Sequence, residues 1–256
     1  MENLGKIVNS MKKIKVLFIH HSTGGLLLHQ GKIRELLLKE APQIQLWDHG
    51  YNLRKNIFSF LAVRTFHTGL SDQDGKMTGT DYDINLSNNS PKEYDEIFSR
   101  SSVDGTLKKI LSYDIIAFKN CFPTTKIISD DMLEEHKNYY QNISDNLQKY
   151  PEKNFVIFTP PPLRSEATKS TYAKRARELS KWMKEALTHP NVKVFDFFDL
   201  LANNENVLKR EYCSPLFFDS HPNRRANSEI GLKFVEMLIQ SGCNSPMLCV
   251  ERLSFP

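Results

Sequence analysis

Ser22 stands at the end of an apolar run, Val16-Leu17-Phe18-Ile19, between His20-His21 and Thr23-Gly24-Gly25. Close to two hundred positions downstream, Phe217-Phe218-Asp219-Ser220-His221-Pro222-Asn223 places a carboxylate two residues before an imidazole. A hydroxyl, an imidazole and a carboxylate are the groups of a nucleophile, the base that activates it and the partner that orients the base. In an extended segment residues i and i+2 point the same way, so Asp219 can reach the ring of His221. The chemistry such a set suits is acyl transfer, which also needs hydrogen-bond donors aimed at the oxygen on which charge develops.

These groups can act only if a scaffold brings them together. Apolar runs bounded by turn formers alternate with helix-period segments, the pattern of a parallel sheet with helices on both faces. Strands are expected at 14–19, 44–47, 114–118, 154–159 and 192–197. Helices are expected at 25–38, 131–149, 170–188 and 226–240, the last with Gly242 just past its end. Ligands bind at the carboxyl ends of the strands in such sheets. The polar clusters fall there: His20-His21-Ser22 after the first strand, Asp48-His49-Gly50 after the second, Lys119-Asn120 after the third. The Asp219–His221 loop comes after the fifth. A serine at a helix N-terminus has N–H groups and a dipole beside it that favour an anion. Gly50 adds an N–H that can be approached closely, and Asn120 adds a side-chain amide.

The span 51–103 breaks the rhythm and is rich in turn formers from Asp72-Gln73-Asp74-Gly75 to Asn88-Asn89-Ser90-Pro91. It reads as an inserted loop or lid within a single domain covering 1–256, with a short helix near 92–98. Its aromatic residues Phe58, Phe60, Phe66 and Tyr82 are expected to shape a pocket. The tail 243–256 reads as irregular. Asp72-Gln73-Asp74-Gly75 has the start of a calcium loop without the downstream ligand spacing, which makes it a solvated turn.

Composition narrows the partners. The chain has 256 residues, a net charge of +4, 40% hydrophobic and 25% charged residues, all ordinary for a globular protein. No dense Lys/Arg run accompanies the small positive charge, so no nucleic-acid groove is expected, and no apolar run approaches a bilayer span. Residues 1–13 are polar and the apolar stretch after them is too short for a signal peptide, which favours a cytoplasmic location. Cys121, Cys213, Cys243 and Cys249 form no C-x-x-C and lack zinc-ribbon spacing. Cys121 reads as a small buried residue rather than a nucleophile.

The order Ser22, Gly50, Asn120, His221 on successive strand–helix units resembles the SGNH (GDSL-type) hydrolase superfamily, and the resemblance spans about residues 14–241. Thr159-Pro160-Pro161-Pro162 is similar to a proline-rich turn of that family, and His221-Pro222-Asn223 before the last helix is the most specific match. The resemblance implies a flavodoxin-like three-layer α/β/α sandwich with a five-stranded parallel sheet, and ester hydrolysis through an acyl-serine without a cofactor. Ser22 would attack, His221 would shuttle the proton and Asp219 would orient it. The Ser22 N–H, the Gly50 N–H and the Asn120 amide would hold the oxyanion. His21, His49 and Lys119 are expected to touch a small-molecule or carbohydrate ester. The chain departs from the family in three places. His20-His21 replace the usual Gly-Asp before the serine, Phe118-Lys119-Asn120-Cys121 keeps only the asparagine of its block, and one residue instead of two separates Asp219 from His221. Asp196 or Asp199 could therefore substitute as the orienting carboxylate. Two other readings stay open. One is a metal-dependent hydrolase in which His20, His21, Asp48, His49, Asp219 and His221 converge around a water. The other is a non-catalytic, ligand-binding member of the fold.

Overall fold

Strands covered on both faces are almost wholly apolar, and three segments of this chain have that character. The computed structural model describes residues 13–51, 68–84, 86–216 and 219–242. Its strands are β1 (Ile14–His20), β2 (Ile44–Gly50), β3 (Gly69–Ser71), β4 (Ile115–Phe118), β5 (Asn154–Phe158) and β6 (Val192–Phe195). They form one six-stranded sheet of order β3-β2-β1-β4-β5-β6. Every pairing is parallel except β2 with β3. The expected five-stranded parallel sheet is present, widened by a three-residue antiparallel edge strand from the segment read as an insertion.

The helices are α1 (Ser22–Gln30), α2 (Ile33–Glu40), α3 (Lys92–Phe98), α4 (Gly105–Ile110), α5 (Asp130–Leu147), α6 (Ser170–Ala186), α7 (Phe197–Leu201) and α8 (Arg224–Gly242). Side chains alternate across a strand, which divides the core in two. Val16, Phe18, Ala117, Val156 and Phe158 face α1, α2 and α8 through Leu27, Ile33, Ile230 and Phe234. Leu17, Ile19, Ile116, Phe118 and Ile157 face the helices of the other layer through Phe98, Leu107, Ile143 and Leu179. The result is a three-layer α/β/α sandwich. Phe18, Phe158 and Phe234 meet at ring separations of 4.9–5.3 Å in the first core. Truncating one of them to alanine would cost about 3–5 kcal/mol.

The helix expected over 25–38 starts earlier and is broken in two. The break follows from tertiary contact. A Cβ on Gly231 of α8 would lie 2.7 Å from the Gly31 oxygen, and one on Gly31 would lie 2.7 Å from the Asn227 oxygen. Backbone meets backbone there, and the chain turns through Lys32 at φ 52° before α2 begins. Asn227 Nδ2 donates to Gln30 Oε1 (2.8 Å) and Ser228 Oγ to the Gln30 carbonyl (3.1 Å), completing a clamp between α1 and α8. The fifth parallel strand stops at Phe195, because Asp196 accepts from the Asp199 N–H (3.1 Å) and caps α7. The unexpected α4 also has a cap, Asp104, which accepts from the Thr106 and Leu107 N–H groups at 3.0 Å.

Much of 68–103 is built into the core rather than laid over it: Ile84, Leu86, Tyr94, Ile97 and Phe98 are buried. Tyr82, expected to line a pocket, is buried against His49 and exchanges a hydrogen bond with Tyr113 (3.0 Å). Phe58, Phe60 and Phe66, and the tail 243–256, lie outside the described residues. Among the described residues no helix is long and apolar enough to cross a membrane. The chain steps from β1 to β2 on one side and returns to β4 on the other, so the order reverses at β1, the place where such sheets bind ligands.

Candidate active site

Ser22 is aimed by the junction between β1 and α1. β1 ends at His20, His21 is extended (φ −104°, ψ −163°), and α1 begins at Ser22. A helix can start this close to the strand because residue 24 is glycine. A Cβ there would meet His20 Cβ at 2.4 Å and His20 Cγ at 2.8 Å. Ser22 thus occupies the first turn, where N–H groups have no intrahelical partner.

The last loop brings His221 to it. His221 Nε2 lies 2.7 Å from Ser22 Oγ, and His221 Nδ1 lies 2.5 Å from Asp219 Oδ1. The same carboxylate oxygen accepts the His221 backbone N–H at 3.0 Å, which locks the single-residue spacing into a workable turn. Burial pushes the Asp219 pKa up, but the hydrogen bonds and charge of His221 outweigh it and hold the carboxyl below its ordinary value. Burial pushes His221 down, but the hydrogen bond to Asp219 and the Cys121 and Asp219 charges outweigh it, and the net shift is upward. The Phe122 ring stands edge-on to His221 with centroids 5.1 Å apart. Capping of α8 falls to Asn223, whose side chain accepts from the Ala226 N–H (3.1 Å) and donates to the Glu211 and Cys213 carbonyls, leaving Asp219 to His221. Asp196 and Asp199, the suggested substitutes, are engaged by Lys184 at 2.6 and 2.5 Å.

β4 supplies the facing wall. Tyr140 OH donates to Asn120 Oδ1 (2.8 Å), and Asn120 Nδ2 donates to the Ser90 carbonyl (3.1 Å). These bonds fix which end of the amide is which, and a second N–H remains on Nδ2. Gly50 closes β2, one strand over from Ser22, in register with His20 and Gly69; with the Tyr51 N–H bonded to the His20 carbonyl (3.1 Å), the Gly50 N–H faces β3 and not Ser22, contrary to the expected oxyanion role. Cys121 Sγ is 3.8 Å from Ser22 Oγ and 3.4 Å from Thr23 Oγ1. Burial raises its thiol pKa, but a hydrogen bond from His21 and the charges of Lys119, His221 and His21 outweigh that and bring it well below the ordinary value.

Two residues expected to touch substrate are placed otherwise. Lys119 is buried, donating to Thr23 Oγ1 and to the Asn120 carbonyl (2.9 Å), with its pKa lowered by burial to about 8. It fastens the end of β4 to the first turn of α1. His49 is fully buried, stacks on Tyr82 at 5.2 Å and accepts the Tyr82 N–H on Nε2 at 3.0 Å. Burial lowers its pKa, which suits that acceptor role. It braces the segment at Asp81–Tyr82. His21 does reach Ser22, with Nδ1 3.0 Å from its Oγ.

The six groups proposed as metal ligands do not converge. His20 Nε2 bonds Asp48 Oδ2 (3.0 Å), and Asp48 also takes Arg34. His49 sits with Tyr82 and Asp81, and His221 with Asp219 and Ser22. Among the described residues no group of three or more His, Cys, Asp or Glu is arranged to hold a metal ion.

Arg164 escaped the sequence reading, since nothing separates it from any other arginine after a turn. Its guanidinium donates to the Leu216 (2.5 Å) and Asp219 (3.3 Å) carbonyls and to Glu166 (2.9 Å), holding the loop that carries Asp219 and His221. Tyr140 was equally silent, one apolar-face residue among several on its helix.

No family model matches the sequence, and no curated protein matches it. Solved structures do. A lipase from a goat rumen metagenome shares 13% identity over 87% of this chain and 97% of its own, with a TM-score of 0.52. A gut microbial diltiazem-metabolizing enzyme shares 9% identity over 88% of this chain and 46% of its own, with a TM-score of 0.50. A GDSL-like lipase from Bacteroides thetaiotaomicron shares 8% identity over 93% and 97%, with a TM-score of 0.46. The likeness to the first two is one of fold.

Proposed function

From a chain with the fold of the SGNH (GDSL-type) hydrolases, we propose an esterase that cleaves carboxylic esters through an acyl-Ser22 intermediate. The observation that carries this reading is the continuous line from Ser22 Oγ to His221 Nε2 (2.7 Å) and from His221 Nδ1 to Asp219 (2.5 Å). His221 takes the hydroxyl proton as Oγ attacks the ester carbon, and Asp219 stabilises the imidazolium that forms. The carbonyl electron pair moves onto oxygen, where the Ser22 N–H and the free Asn120 N–H act as donors. His221 then protonates the departing alcohol, and water repeats the sequence to release the acid.

Crowding of Ser22 Oγ by His221, His21 and Cys121 favours a short acyl group, and the acetyl ester of a carbohydrate is the substrate we assign. No metal takes part in these steps. The test is intact mass after exposure to a fluorophosphonate, for wild type and Ser22→Ala, followed by turnover of acetylated sugars and of p-nitrophenyl esters of increasing acyl length. One adduct on wild type only, with turnover that falls as the acyl chain lengthens and survives chelator, is expected. Equal labelling of both proteins, or turnover by Ser22→Ala at the wild-type rate, refutes the mechanism.

A further inference from the structure

Two imidazoles touch one hydroxyl. His221 Nε2 is 2.7 Å from Ser22 Oγ and His21 Nδ1 is 3.0 Å from the same atom. A count of protons assigns their roles. His221 Nδ1 faces a carboxylate oxygen, which can only accept, so that nitrogen carries a proton. In the neutral ring Nε2 is then a lone pair and accepts the Ser22 proton. A hydroxyl has one proton to give and two lone pairs to offer. The Ser22 proton is committed to His221, so His21 Nδ1 must donate.

We propose that His21 is a second catalytic imidazole, donating from Nδ1 to Ser22 Oγ and stabilising the charge that gathers there as the hydroxyl proton leaves. The inference rests on Ser22 being the nucleophile. One Oγ lone pair is held by His21, and the other, beside Cys121 Sγ at 3.8 Å, turns to the ester carbon. During acylation the proton passes to His221 Nε2, an Oγ lone pair forms the new O–C bond, and the carbonyl pair moves to oxygen. During deacylation the Oγ–C bond breaks and its pair returns to Oγ, where the His21 N–H meets it before His221 delivers the proton. No proton passes through His21, so both half-reactions balance without it.

The donor is held in place before reaction, the condition under which such groups accelerate chemistry. The His21 carbonyl accepts from the N–H groups of Gly24 (3.0 Å) and Gly25 (3.1 Å) and from the His20 ring (2.8 Å). The His21 ring stands 5.5 Å from that of the buried Tyr51 and hydrogen-bonds Cys121. The role differs from substrate contact in what it changes: a donor to Oγ governs kcat, whereas a substrate contact governs KM.

The experiment compares wild type, Ser22→Ala, His21→Ala, His21→Asn and His21→Gln by rate of phosphonylation and by kcat and KM for p-nitrophenyl acetate. The asparagine amide nitrogen can stand close to the place of imidazole Nδ1, while glutamine carries it one methylene too far. His21→Ala and His21→Gln should lose about 10- to 100-fold in kcat and labelling rate with KM nearly unchanged, and His21→Asn should stay within about fivefold of wild type. Wild-type labelling by His21→Ala, a rise in KM at constant kcat, or asparagine no better than glutamine would overturn the assignment. A wild-type protein that takes no phosphonate would overturn the nucleophile, and this inference with it.

Discussion

Replacing Asp219 by asparagine removes one charge and almost no volume, so its effect can be worked out from the geometry. Asp219 Oδ1 lies 2.5 Å from His221 Nδ1, and both side chains are about three-quarters buried, at 22% and 26% exposure. When His221 becomes an imidazolium in the transition state, the charge centres are ~4 Å apart. At an effective dielectric constant near 20 that separation is worth about 4 kcal/mol. The amide forfeits most of it, and about 4 kcal/mol is a loss of about a thousandfold in kcat. A second consequence has the opposite sign on the pH axis. His221 must be neutral to accept a proton, so activity rises with pH through its pKa, which lies above 6.5 in the intact site. Without the carboxylate, burial prevails and that limb moves to lower pH even as the plateau collapses. The assay is p-nitrophenyl acetate hydrolysis from pH 5 to 9, normalised to phosphonate-titrated sites. An Asp219→Asn enzyme within tenfold of wild type, or one whose acid limb stays in place, refutes this account of the triad.

Arg164→Met frees the Leu216 and Asp219 carbonyls from their charged donor. It should cost about 1.5–3 kcal/mol of stability and about tenfold in kcat, and unchanged denaturation and turnover would show that the loop holds itself. Gly231→Ala forces a Cβ to within 2.7 Å of the Gly31 oxygen. Overpacking of this kind costs about 1–3 kcal/mol, and it should also slow phosphonylation by parting the helices that flank Ser22 and His221, whereas a normal labelling rate argues against that coupling. Burial lowers the Lys119 pKa from 10.5 to about 8. Charging it therefore opposes folding fully below about pH 8, and the penalty fades as pH rises towards 10.5. In a Cys121→Ala background, stability relative to Lys119→Met should rise by about 3 kcal/mol between pH 7 and pH 10.5 in guanidinium titrations; a constant difference would show the ammonium is solvated.

The parts of the site legible in the sequence are those whose position follows from local pattern. Ser22 closes an apolar run, and Asp219 and His221 stand two apart in a polar turn before an amphipathic helix, so their convergence follows once the sheet is parallel. What could not be read depends on residues far away in the chain. The helix break after Gln30 is dictated by Gly231, and the burial of His49 by Tyr82. Lys119 resembles a substrate ligand until Thr23 is found at its end. The edge strand Gly69–Ser71 has only three residues and exists through its pairing with Asp48–Gly50, which no pattern within it announces. Part of the insertion enters the core because its apolar residues, from Ile84 to Phe98, outnumber what a mobile cover would carry.

The clamp between α1 and α8 also sets the order in which activity can arise during synthesis. Ser22 and His221 are 199 positions apart, and at translation rates of about 5–20 residues per second the serine leaves the ribosome some tens of seconds before the histidine. A nascent chain that ends after β6 already contains every strand of the sheet, with Ser22, Gly50 and Asn120 at its carboxyl edge, but neither Asp219 nor His221. The Gly31–Gly231 contact and the Asn227 and Ser228 bonds to Gln30 then dock the final helix and set the base against the hydroxyl in the same event. Under the proposed mechanism, hydrolytic competence is therefore tied to completion of the fold, and a chain stalled or cut before α8 holds Ser22 without the imidazole proposed to activate it.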